Sequence, residues 1–68
     1  MLLNMPDKAV LTRDHLFLGF RKPLQLMKGY EIRYSKSHDL YMGDAVDGFV
    51  PYFKPKSVRT LSLFEFVD

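Results

Sequence analysis

Sixty-eight residues, 47% apolar and with six Phe and four Tyr, describe one folded domain, and a chain this short buries only roughly 60 to 65% of the surface its unfolded form exposes. With no cysteine and only two histidines, His15 and His38, no disulfide, thiolate metal site or histidine-rich zinc site can brace the small core, which leaves good packing or oligomerisation. The net charge of +2 divides into six Lys/Arg against three Asp/Glu (+3) over residues 1–34 and four against five (−1) over residues 35–68, which permits nucleic acid without demanding it.

Residues 1–5 (Met-Leu-Leu-Asn-Met) are apolar and are expected to be tied down, since apolar surface is costly to leave in water. No basic n-region or long h-region marks a signal peptide here. No apolar run approaches the roughly 18 residues of a membrane span, so the expected setting is cytoplasmic, with no membrane partner. Between Pro6 and Phe20 two readings compete. One is a helix with Pro6 at its first position; the other, favoured because Val, Thr and Phe are mediocre helix formers, is a hairpin of Lys8–Thr12 and His15–Phe20 around Arg13-Asp14.

After the turn signal Arg21-Lys22-Pro23, the stretches 24–27 and 30–35 alternate around Lys28-Gly29 and predict a second hairpin, the glycine supplying the positive φ of a tight turn. Tyr30, Ile32 and Tyr34 form its apolar face and Glu31, Arg33 and Ser35 its wet one. Residues 35–39 are a polar loop, 40–42 a short strand, and Asp47-Gly48 a strong hairpin cue. Pro51 interrupts the run 49–53 and places it at a sheet edge or on a bulge, because proline has no amide hydrogen for the ladder.

The longest period-2 pattern is Arg59–Val67, read as the terminal strand, with Leu61, Leu63, Glu65 and Val67 on one side and Ser62, Phe64 and Phe66 on the other. Its alternation slips at Leu63-Phe64, which requires either a bulge or burial of both faces. The whole pattern predicts a mostly β domain of about five or six short antiparallel strands, a small SH3-like or OB-like barrel or a half-open sandwich, with α+β as the alternative if a helix forms within residues 6–18.

Three groups of residues bear on function. Asp39, Asp44 and Asp47 with His38 are the clustered acids, but their spacing is wrong for a calcium loop, and Asx turns explain them. His15 beside Asp14 and His38 beside Asp39 fit a base with its carboxylate in composition only, since neighbours on a strand face opposite ways. With no nucleophile elbow or phosphate loop alongside, the expectation is a non-enzymatic protein without metal or cofactor. The basic and aromatic set Lys28, Tyr30, Arg33, Lys54 and Lys56 is the alternative, a site for single-stranded nucleic acid or RNA, in which bases stack on rings and cations take the phosphates. The third group is surplus apolar surface on two strands, Phe49, Val50, Tyr52, Phe64 and Phe66, which points to a protein partner or to self-association. The leading expectation is therefore a small interaction or assembly module, of a size that suits a phage or mobile-element protein.

Overall fold

The structure, a computed structural model, describes residues 6–67; the expected tethering of residues 1–5 lies outside them. The chain runs β1 (Lys8–Leu11), β2 (His15–Phe17), β3 (Leu24–Leu26), β4 (Glu31–Ser35), β5 (Leu40–Gly43), β6 (Tyr52–Phe53), α1 (Pro55–Leu61) and β7 (Phe64–Val67). Five strands form one antiparallel sheet in the order β6-β5-β4-β1-β7, and β2 and β3 pair as a separate hairpin. The mostly β class is as predicted. Of the two architectures it allowed, the half-open one is found: β6 and β7 are the two edges of the sheet and do not pair with each other. Among the described residues no helix is long and apolar enough to cross a membrane.

Residues 6–18 hold strands, so the α+β alternative with a helix there is overturned. The strands predicted between residues 8 and 35 exist, but their pairing differs. β1 and β2 are not partners: β1 lies between β4 and β7, with Ala9 opposite both Ile32 and Phe66. The second predicted hairpin is also repartnered. Gly29 has the positive φ of 93°, yet its amide donates to the Leu11 carbonyl at 2.8 Å, and Leu11 N–H donates to the Tyr30 carbonyl at 2.9 Å. The turn is thereby tied to β1 and passes the chain from one sheet to the other, leaving β3 with β2 and β4 with β1 and β5.

The largest correction falls on 59–67. Its first half is the end of a helix, and only Phe64–Val67 is strand. Pro55 occupies the start of α1, where a missing amide hydrogen costs nothing, and Ser62 ends it in the left-handed region at φ 56°, the usual helix-terminating conformation. The slip in alternation at Leu63-Phe64 is therefore neither a bulge nor a two-sided ladder but the exit from a helix. The tight turn at Asp47-Gly48 forms as expected, with φ of 52° and 77° and a bridge between Val46 and Phe49. Pro51 shortens the next strand to two residues, at the sheet edge.

The inner face of the sheet carries Ala9, Leu11, Ile32, Tyr41 and Phe53, and the hairpin closes over it with Phe17, Leu24 and Leu26. Phe53 lies 5.2 Å from both Phe17 and Phe64, measured between ring centres, so three elements meet at aromatic rings in edge-to-face geometry. Tyr41 is fully buried, and its hydroxyl donates to the Pro6 carbonyl at 2.8 Å, which satisfies the polar group that burial would otherwise penalise.

Candidate functional site

Where β2 ends, Leu18-Gly19-Phe20 opens the loop that joins β2 to β3 within the hairpin. Phe20 folds back onto β6: its ring centre is 5.5 Å from Phe53, 5.4 Å from Phe49 and 6.3 Å from Tyr52, each in edge-to-face geometry. In β6 the alternation of a strand sends Phe53 inward and Tyr52 outward. Lys54 follows, and the helix that begins at Pro55 presents Ser57 and Leu61 four residues apart, on one face. Hairpin, edge strand and helix thus border one open groove of about 500 Å³. Leu18 (72% exposed), Tyr52 (49%) and Leu61 (42%) all stand on it, a concentration of large apolar surface that scattered side chains would not produce.

Two further hollows adjoin it. Phe20 is shared with a smaller one of about 280 Å³, bordered by Phe49, Leu24, Arg21 and Lys22. Lys54 is shared with a shallow one of about 590 Å³, bordered by His38, Asp39, Leu40, Pro55 and Lys56.

The predicted apolar surface is split by the fold. Phe49 and Tyr52 come together around Phe20, with 6.4 Å between their own rings, and Val50 is exposed beside them. Phe64 is instead a core residue, and Phe66 is half-buried with its ring 6.0 Å from Tyr41. The cover these two rings needed comes from the chain's own hairpin and sheet. Leu18, Phe20 and Leu61 were not singled out from the sequence; the signal for the first two was a glycine flanked by large apolar residues, and Leu61 was hidden by the strand reading of 59–67.

The basic and aromatic set is dispersed. Cross-strand partners share a face, and the register Lys8–Arg33–Met42–Tyr52 puts Arg33 on the outer face. Arg33 there lies 3.7 Å from Glu31, which also lies 3.8 Å from Lys8. Tyr30 is on the other face, with its hydroxyl donating to the Asp44 carbonyl. Lys28 is at an exposed turn where its backbone N–H donates to the Asp14 carboxylate at 2.7 Å. Lys54 and Lys56 are exposed at the start of α1. These residues do not converge on one surface.

Neither sequence-adjacent acid serves its histidine. Asp14 faces the Lys28 amide, and Asp39 accepts from the Tyr34 hydroxyl. The His38 ring is held by the Ser35 and Ser37 hydroxyls at 3.0 and 3.2 Å, and the His15 ring lies edge-on to Phe17 at 4.6 Å. Among the described residues no three His, Cys, Asp or Glu side chains gather as a metal site would need. The shifted ionisations are all phenolic: burial, helped by Asp44, pushes Tyr30 up to about 12; the hydrogen bond to Asp39 raises Tyr34; and burial raises Tyr41. All three hydroxyls are held protonated by their surroundings. Comparison with protein-family models, curated proteins and solved structures finds no match to the chain.

Proposed function

We propose that this chain is a non-enzymatic protein-interaction module, and that its working surface is the groove between the β2–β3 hairpin, β6 and α1. The observation that carries this is the convergence of Leu18, Tyr52 and Leu61, from three separate elements, on one concavity. Each is exposed although the core a few ångströms away is apolar, and an open groove with rigid aromatic walls is the shape in which anchor side chains of a partner find desolvated seats. Phe49 borders the adjoining hollow and Val50 is exposed next to it in sequence, whereas Phe64 and Phe66 belong to or pack against the core that supports the groove.

The test compares the natural chain with a Leu18→Ser/Tyr52→Ser variant, which alters exposed positions and is expected to fold. Light scattering over a range of concentrations and quantitative affinity capture should show self-association or a retained partner that the variant loses. A strict monomer whose captured proteins are the same for both chains would remove the proposal. The nucleic-acid alternative has weaker support, because Lys28, Tyr30 and Arg33 do not share a face with one another or with the groove.

A further inference from the structure

The groove has a sign as well as a shape. Lys54 stands on its rim, Arg21 and Lys22 border the hollow that shares Phe20 with it, and no Asp or Glu borders either space. Glu31 pairs with Lys8 and with Arg33 on the outer face of the sheet; Arg21, Lys22 and Lys54 belong to neither pair. Three cations therefore border two apolar hollows that share Phe20 and whose linings hold no acid, Asp39 meeting Lys54 only across the adjoining shallow hollow, and like-charged partners are repelled there while acidic ones are steered in.

We propose that the occupant is a linear peptide segment carrying one or two apolar anchor residues flanked by Asp or Glu. This rests on the docking role proposed above and adds the chemistry of the partner. The anchors enter the groove between Leu18, Tyr52 and Leu61, and the acidic flanks meet Lys54 at one end and Arg21 and Lys22 at the other. A peptide suits this surface better than a single-stranded nucleic acid for two reasons. Phe20 meets Phe49, Tyr52 and Phe53 at interplanar angles of 67°, 72° and 81°, so these rings pack edge-to-face on one another rather than offering parallel faces to bases. The most exposed apolar side chain on the groove, Leu18, is aliphatic, and aliphatic side chains seat apolar anchors but provide no stacking platform.

The test is to pan a random peptide library displayed on phage against the immobilised full chain, and to measure the selected peptides by fluorescence anisotropy. The expected result is enrichment of Leu, Ile, Phe or Pro next to Asp or Glu. Binding should weaken with added salt and fall roughly tenfold in a Lys22→Glu/Lys54→Glu variant. Both substituted positions are exposed, so the variant's thermal midpoint should match the natural chain's, and panning against it should shift the flanks to Lys and Arg. Enriched apolar peptides with no acidic bias, bound equally by the variant, would overturn the acidic specificity and leave the docking role standing. No enrichment, with a strict monomer by light scattering, would overturn both. Tighter binding of a labelled oligothymidylate than of any peptide, with a steep salt dependence, would replace the peptide by a nucleic acid.

Discussion

Gly43 is bare because Tyr30 occupies the space a side chain would need. A Cβ built there falls within 2.5 Å of ring carbons and closer still to the hydroxyl, so the aromatic ring lies directly over the strand backbone. Gly43→Ala must push that ring out and break the Tyr30–Asp44 hydrogen bond, an overpacking cost of about 1–3 kcal/mol. Urea denaturation should show it, and an unchanged midpoint would contradict the contact. The same tyrosine makes stability depend on alkaline pH. Its folded hydroxyl keeps its proton up to about 12, against an ordinary value of 10.0, so above pH 10 the unfolded chain binds fewer protons than the folded one. The stabilisation is complete below pH 10 and is lost as pH rises toward 12. Tyr34 and Tyr41, also raised, add to the same slope. Tyr30→Phe should flatten the decline in denaturation midpoint between pH 10 and 12, and an equally steep decline would refute Tyr30 as its source.

At the scale of elements, the junction of α1 with β7 decides where the terminal segment goes. Ser62 holds a left-handed backbone at φ 56°, a conformation that glycine adopts without the steric cost a side chain incurs. Ser62→Gly should therefore stabilise the protein by roughly 0.5–1 kcal/mol, a rise of a few degrees in thermal midpoint. In a continuous strand over 59–67 the same change would destabilise, because glycine weakens strand interiors, so the sign of the shift distinguishes the two geometries. The junction is also tied back to β1: both the amide and the hydroxyl of Thr12 donate to the Leu63 carbonyl, at 2.9 and 2.8 Å. Thr12→Val keeps the shape and removes the second bond, at a cost of about 0.5–1.5 kcal/mol. Hydrogen exchange should show faster opening of β7 in that variant.

For the whole molecule, cohesion depends on rings from distant parts of the chain. Phe17 from the hairpin, Phe53 from the sheet edge and Phe64 from the last strand meet in one cluster, which fastens the hairpin to the sheet, and Phe17 and Phe53 also line the groove. Removing such a ring costs about 3–5 kcal/mol, against a total stability of roughly 3–10 kcal/mol for a domain this size. Phe17→Ala is expected to abolish cooperative unfolding or to lower its midpoint by tens of degrees. A loss under about 1 kcal/mol would mean the hairpin is not part of the folding unit.

Local chemistry was enough to locate most elements: alternation at Tyr30–Ser35, positive φ at Gly29, the tight turn at Asp47-Gly48 and the edge position imposed by Pro51 are each fixed by the residues themselves or their immediate neighbours. Pairing was not, because strand partners are chosen by which faces bury together over long sequence separations, and Lys28-Gly29 serves a hairpin or a crossing between sheets equally well. The same ambiguity governed 59–67. Leu61, Leu63 and the phenylalanines alternate as a strand does, yet Pro55, which suits the first turn of a helix, and the burial of Val58 go with a first part that is helical. The groove was legible only in part, since Phe49, Val50 and Tyr52 lie close in sequence while Leu18, Phe20 and Leu61 reach them only through packing. By itself the sequence determined the β-rich class and the aromatic character of the core, because composition and short-range sterics suffice for both. Tertiary structure alone decided which aromatic residues are core and which are surface, because burial is a property of what the rest of the chain places on top.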